Sequence, residues 1–145
     1  MKISYNWLKE YLDFDLDHNS ISEILTDLGL EVEGISKYES IPGSLEGVIV
    51  GKITSLKKHP NADRLNITTV DIGEKDELQI ICGAPNVKNK LTVAVATNGT
   101  ILYSNDEKFK IKKTKIRGEF SNGMICGEDE LNLGPSTSGI MILDE

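Results

Sequence analysis

The sequence predicts a mainly β protein, in which a small closed barrel of five strands follows a small α/β appendage of two short helices. Two observations predict this fold. After residue 47, short alternating apolar runs recur between turn signals such as Asn98-Gly99. Before residue 41, apolar residues repeat at helical spacing, and a polar stretch with Pro42-Gly43 separates the two parts. We therefore predict two domains, a helical segment at residues 1–40 and the barrel at residues 41–145.

The front segment contains two predicted helices. Residues 3–17 form the first, with Ser4 as its N-cap. The second begins at a capping box formed by Ser20 and Glu23, and it ends at Gly29. About ten large apolar side chains are too few for an independent core, so we expect other protein, the barrel or something outside this chain, to cover them. The aromatic side chains are predicted to be core, with a binding face as the alternative; they are Tyr5, Trp7 and Tyr11.

Five strands are predicted for the barrel, at residues 48–56, 65–72, 78–82, 91–97 and 108–117. In the fifth strand the apolar positions change parity near Lys112-Lys113, which predicts a bulge or a sharp bend. Residues 128–131 are predicted as a short helical turn, and residues 140–143 as a segment that pairs onto the barrel. Short strands separated by turn signals indicate an OB-type barrel rather than a βαβ fold.

Charge is distributed unevenly along the 145 residues, whose net charge is -7. Residues 1–40 contain three bases and nine acids, a net charge of -6, and residues 41–145 contain thirteen bases and fourteen acids, a net charge of -1. An acidic chain is a poor candidate for broad phosphate binding, which needs a positive surface. Any contact with nucleic acid must therefore come from local patches in the second part.

Several classes of protein are disfavoured by the sequence. There is no signal-peptide core and no apolar run of about 18 residues, which predicts a soluble, cytoplasmic protein without a membrane partner. Cys82 and Cys126 are not in a CxxC pair, so we predict two buried thiols rather than a zinc site or a disulfide. Hydrolase, phosphate-loop and zinc-protease motifs are missing, which predicts no catalytic residue. The acids at 128–130 are interpreted as solvated rather than metal-binding.

Two basic segments remain as candidate sites. The first is the turn at residues 57–64, where Pro60 sets a turn and Lys57, Lys58 and Arg64 would project from the barrel mouth. The second is residues 108–117, with six bases in ten residues. Its alternative interpretation is an edge strand protected from aggregation by lysines. Aromatic residues are few in the barrel, so recognition is expected to depend more on phosphates and shape than on splayed bases.

Four short motifs lie within the predicted barrel: HPNADRL at 59–65, ICGAPNV at 81–87, KIRG at 115–118 and SNGMIC at 121–126. With these motifs, the barrel resembles the tRNA-binding OB domain attached to several aminoacyl-tRNA synthetases. The front, with WLKEY at 7–11 and LGLEVE at 28–33, is similar to the start of the bacterial phenylalanyl-tRNA synthetase beta subunit. Two residues depart from the family pattern: Gly127, where serine is usual, and Asn132, where glycine is common.

The resemblance implies an enzyme that uses ATP and magnesium to join phenylalanine to tRNA, as a tetramer of two alpha and two beta subunits. It also implies that residues 1–40 belong to an interrupted domain that resumes after the barrel. The family's active site is in the alpha subunit, and the editing and magnesium-linked regions of the beta subunit lie downstream. This chain is therefore expected to contain no catalytic residue, cofactor or metal site of its own, and its partners are expected to be tRNA and the alpha subunit.

The hypothesis from the sequence is a tRNA-binding module. Its candidate RNA-binding residues are Lys57, Lys58, His59, Asn61, Arg64, Lys112, Lys113, Lys115, Arg117 and Ser121. Two alternatives stay open at this point. The barrel could be a structural or docking domain of the synthetase with little RNA binding, or the chain could be a free-standing tRNA-binding barrel.

Overall fold

The structure is a computed structural model, and it describes residues 1–104 and 107–143. The chain divides into two compact units, Met1–Tyr38 and Glu39–Glu145. This division lies two residues before the domain boundary predicted at residue 40. Neither helix in the described ranges has the length and apolar content needed to cross a membrane.

The first helix, α1, is Tyr5–Tyr11. Its predicted N-cap is confirmed, since the Ser4 hydroxyl accepts a hydrogen bond from the Trp7 amide at 3.3 Å. The predicted length of 15 residues is wrong, because the backbone is already extended at Leu12. The aspartates that follow at alternate positions favour non-helical backbone and end the helix early.

The second helix, α2, is His18–Asp27, and the predicted capping box is wrong. Asp17 is the N-cap, and its carboxylate accepts from the Ser20 amide at 2.8 Å, so that Ser20 lies inside the helix. A charged carboxylate is a strong acceptor at this end of a helix. The predicted end is confirmed: Gly29 has a φ of +88°, and the Leu30 amide donates to the Leu25 carbonyl in a Schellman motif.

Neither helix contains a buried residue. Trp7 is 59% exposed and Tyr11 is 74% exposed, so the prediction of a core is wrong for these two rings. They instead contact each other edge to face, with centroids 6.0 Å apart. Tyr5 is half-buried and contacts Phe14 edge to face, so the front unit contains partly buried apolar side chains but no fully buried helix residue.

The second unit is a nearly closed antiparallel barrel. After a 3₁₀ turn at Pro42–Leu45, its described strands are β1 (Val48–Lys58), β2 (Asn66–Asp71), β3 (Leu78–Cys82), β4 (Thr92–Ala96), β5 (Ile101–Ser104), β6 (Glu107–Lys110), β7 (Thr114–Ile116), β8 (Glu119–Ser121) and β9 (Met124–Ile125). Five of them form one sheet in the order β3-β2-β1-β4-β9, and β9 also contacts β3. The predicted OB-type barrel is confirmed.

The fifth strand of this barrel is β9, so the prediction of residues 108–117 as that strand is wrong. That segment lies in the long connection between β4 and β9, where β5 pairs with β6 and β7 pairs with β8. A run of lysines on both faces cannot form a barrel wall, because one face of the wall must be buried. The predicted break is confirmed, since no strand covers residues 111–113 and the Ile111 amide turns to the Thr100 carbonyl at 2.8 Å.

Strand β4 separates two cores. Its valines, Val93 and Val95, belong to the cluster inside the barrel, and its alanines, Ala94 and Ala96, belong to a second cluster. The second cluster is completed by Leu102, Ile111, Cys126 and Leu131. The long connection and the segment after β9 thus cover the outside of β4. The prediction that residues 140–143 pair onto the barrel is confirmed by the bridge between Val93 and Ile142.

Candidate nucleic-acid interface

The loop between β1 and β2 is closed by its own backbone. The His59 amide donates to the Leu65 carbonyl at 3.1 Å, and the Leu65 amide donates to the Ala62 carbonyl at 3.1 Å. Pro60 fixes its own φ and forces the preceding residue away from helical backbone. The loop therefore has a defined shape, and we call residues 57–64 the first basic segment.

His59 links this loop to the β7–β8 hairpin. Its ring is 4% exposed, Nδ1 accepts from the Asn61 amide at 3.1 Å, and Nε2 lies 3.1 Å from the Ile116 carbonyl oxygen. The neutral tautomer with a proton on Nε2 satisfies both contacts, since Nδ1 must accept and Nε2 must donate. A histidine in the loop thus holds a hairpin more than fifty residues away in sequence.

Asn61 makes a second link to the same hairpin. Its side-chain amide donates to the Arg117 carbonyl at 3.2 Å. Arg117 and Gly118 form the tight turn of the hairpin, with φ values of +48° and +106°. Gly118 suits this turn because glycine takes positive φ without strain. Together the two links bring the first basic segment against the β7–β8 turn. Because residues 108–117 are divided between two hairpins, we call only residues 112–117, which include β7, the second basic segment.

The basic side chains of both segments are exposed; they are Lys57, Lys58, Arg64, Lys112, Lys113, Lys115 and Arg117. Neighbouring residues of a strand alternate between its two faces, so Lys57 and Lys58 at the end of β1 point to opposite sides. Lys57 pairs in register with Ile67, which pairs with Ile81. Ile81 lies between the buried Ile80 and Cys82, so it points outward, and Lys57 lies on the same outward face through this register.

Two of the candidate residues are buried instead of exposed. His59 is occupied as described, and Ser121 is 3% exposed, with its hydroxyl accepting from the Ile81 amide and donating to the Gly123 carbonyl, both at 3.0 Å. Their polar atoms are therefore engaged within the protein. Their hydrogen bonds instead fix the backbone of the hairpin, His59 at Ile116 in β7 and Ser121 along β3 from β8.

The structure adds one exposed ring, Phe120, to the candidate residues that the sequence indicates. Phe120 is 48% exposed, and the ammonium groups of Lys113 and Lys115 lie 4.9 and 5.5 Å from its ring centroid. In the sequence, Phe120 follows Arg117 by three residues and directly precedes Ser121. What the sequence did not show was the pairing of β7 with β8, which sets Lys115 directly opposite Phe120.

No group of three or more potential metal ligands occurs among residues 1–104 and 107–143. Within the acidic run at 128–130, a Glu130 carboxylate oxygen accepts from the Gly127 amide at 2.7 Å. Both cysteines are buried and free. Burial raises the pKa of the Cys82 thiol, and it raises the pKa of Cys126 to about 12, which makes both poor nucleophiles at neutral pH.

Comparison with known proteins identifies relatives. The chain is 52% identical over 145 residues to the phenylalanine--tRNA ligase beta subunit of Bacteroides fragilis, covering 100% of this chain and 18% of that protein. It is 50% identical over 143 residues to the same subunit of Porphyromonas gingivalis, covering 99% and 18%. A partial likeness to the C-terminal domain of Plasmodium vivax p43, with a TM-score of 0.42 and 28% identity, covers 54% of this chain and 43% of that one.

The chain thus spans less than a fifth of the length of the beta subunits that it matches. A family model described as a putative tRNA binding domain matches residues 48–145, which include the whole barrel and both basic segments. That match covers more than half of the chain, and we conclude that the chain belongs to the putative tRNA binding domain family.

Proposed function

We propose that this chain is the tRNA-binding module of a phenylalanine--tRNA ligase beta subunit. The observation that carries the proposal is the contact between the two basic segments, made by His59 and Asn61 on the β7–β8 turn. OB barrels bind nucleic acid on the face of their second and third strands and on the loops that flank it. Both basic segments lie in such loops, the first between β1 and β2 and the second in the connection that leads to β9.

The proposed contacts are with tRNA phosphates. They are made by Lys57, Lys58, Arg64, Lys112, Lys113, Lys115 and Arg117, while His59, Asn61 and Ser121 hold the backbone that carries them. A net charge near -1 for residues 41–145 means that attraction must be local. The whole enzyme would charge tRNA with phenylalanine in the cytoplasm, using ATP and magnesium, with an alpha subunit as partner in an α2β2 tetramer.

The same net charge favours a second candidate function. A barrel that is close to neutral overall suits a structural or docking domain, which would bind RNA weakly or not at all. The two functions differ in the dependence of binding on salt.

The test is the affinity of the 145-residue chain for tRNA over a range of salt concentrations. Removing three phosphate contacts in the variant Lys57→Ala, Lys58→Ala, Arg64→Ala should reduce the log–log slope by roughly 0.7–0.9 per contact. A matched control, Lys2→Ala, Lys75→Ala, Lys88→Ala, removes three exposed lysines outside both segments and should leave the slope near that of the wild type. Equal slopes for all three proteins, or no tRNA binding at low salt, would contradict the proposal.

A further inference from the structure

The β7–β8 hairpin presents an aromatic ring between lysines on one face. Lys115 and Phe120 are directly paired across the two strands, and Lys113 lies immediately before β7. Both ammonium groups lie within 6 Å of the Phe120 ring centroid, which is cation–π range. This face of the hairpin therefore combines one aromatic surface with two positive charges.

The ring projects from a backbone that is held at several points. The Phe120 carbonyl accepts from the Gln79 side-chain amide at 2.8 Å, and the Asn122 amide donates to the Gln79 carbonyl at 2.8 Å. Between them, the buried Ser121 hydroxyl accepts from the Ile81 amide. Strand β8 is thus fastened along β3, and a ring on a fixed backbone loses little freedom when a ligand binds.

The position of the ring relates it to the first basic segment. Ile116 pairs with Glu119, and the next pair along the hairpin is Lys115 with Phe120. The turn held by His59 and Asn61 is therefore one register step from the ring. Gln79 pairs with Thr69 at positions that alternate with the buried Thr68 and Ile80, so the Gln79 side chain that holds the Phe120 carbonyl lies on the outward face of β3.

From this arrangement we propose that Phe120 stacks on an unpaired nucleobase of the bound RNA while Lys113 and Lys115 contact the adjoining phosphates. Each base has a π-face that can stack on an aromatic ring, but in a duplex its neighbours cover that face. The long lysine side chains can leave the ring without moving the backbone. The site would therefore take a looped or single-stranded nucleotide, which gives splayed bases a larger part in recognition than the sequence predicts. The inference rests on the proposed function.

The test measures binding of the 145-residue chain to a single-stranded RNA oligonucleotide, to a blunt RNA duplex and to tRNA. Phe120→Ala should weaken binding to the single strand by roughly ten-fold or more, since stacking on one aromatic side chain contributes that much. Phe120→Leu keeps apolar bulk without a π-face and should be weakened similarly, whereas Phe120→Trp should bind at least as well as the wild type. The salt slope should not change in any of these variants, because no charge is removed.

The matched control is Phe109→Ala. Phe109 is 39% exposed and lies on the other hairpin, β5–β6, so its loss should leave RNA binding unchanged. A second readout uses Phe120→Trp in a Trp7→Phe background, which leaves one tryptophan, at position 120. Stacking on the RNA oligonucleotide should quench the fluorescence of this tryptophan.

The outcomes separate the two proposals. If Phe120→Ala and Phe120→Leu bind like the wild type while the Lys57, Lys58 and Arg64 variant still lowers the salt slope, the stacking inference fails and the proposed function stands. If Phe120→Ala weakens the blunt duplex as much as the single strand, the assignment to an unpaired base is overturned. If the wild type shows no salt-dependent binding to any of the RNAs, both proposals fail.

Discussion

The two units of this chain are stabilised in different ways. The front unit, Met1–Tyr38, has helices without fully buried residues, and its helix ends are capped at Ser4, Asp17 and Gly29. The barrel unit has two apolar clusters, one on each side of β4, with many side chains fully buried. The long-range contacts that hold the proposed binding surface, such as those of His59 and Ser121, therefore lie within the barrel.

The largest expected effect is on the barrel core. Ile80 is fully buried, whereas Ile24 in α2 is 45% exposed. Ile80→Ala should lower the free energy of unfolding by about 2–5 kcal/mol, because it leaves a cavity. The matched change Ile24→Ala should cost less than about 0.5 kcal/mol, as exposed substitutions usually do. Urea unfolding of both variants checks the prediction, and similar losses would remove the distinction between the units.

A smaller effect is expected at alkaline pH, and it arises in the barrel, where both cysteines lie. The Cys126 thiol has its pKa raised by burial to about 12, from an ordinary value of 9.0. The unfolded chain therefore loses this proton first as pH rises, so stability is present below pH 9 and is lost between pH 9 and 12. The loss should be about 1.4 kcal/mol per pH unit in that window.

The control for the pH prediction is Cys126→Ala, which should be less stable at pH 7 but should lose less stability than the wild type above pH 9. Unfolding midpoints in urea at pH 8, 9 and 10 give the comparison. Parallel curves for the two proteins would show that Cys126 ionises as easily in the folded chain as in the unfolded one.

The smallest effect is expected at the front. The Ser20 amide and hydroxyl lower the pKa of Asp17, so the carboxylate's contribution to α2 is present above the ordinary value of 3.8 and is lost as pH falls below it. Asp17→Ala should reduce the helical circular-dichroism signal slightly at pH 7 and leave the barrel's unfolding midpoint unchanged. Asp17→Asn keeps an N-capping side chain and should preserve most of the signal. An unchanged helical signal would contradict the role of Asp17 as the N-cap of α2.

Sequence patterns were sufficient for β1 to β4 because each strand alternates over several residues and ends at a turn signal. They failed for the fifth strand, since β9 is only two residues long and its pairing with β4 is set by the fold. Within residues 108–117, lysines alternate with other residues, which imitates the pattern of one strand. The separation of β6 from β7 depends on the distant contact between Ile111 and Thr100.

The candidate site shows the same limit. Exposed lysines could be identified from charge alone, because lysine is seldom buried. The positions of His59 and Ser121 could not, because loop histidines and serines are usually exposed and here their partners are Ile116 and Ile81. Phe120 was visible as one of few aromatic residues in the barrel, but its two lysine neighbours follow from the hairpin register.

We propose that two basic segments, distant in sequence, form one RNA-binding surface. Amide chemical shifts of the 145-residue chain, followed by NMR during titration with tRNA, test this proposal most directly. The amides of residues 57–64 and 112–121 should shift together at the same tRNA concentrations, while those of residues 84–90 and α2 should not. Shifts confined to one of the two segments, or located elsewhere in the barrel, would contradict it.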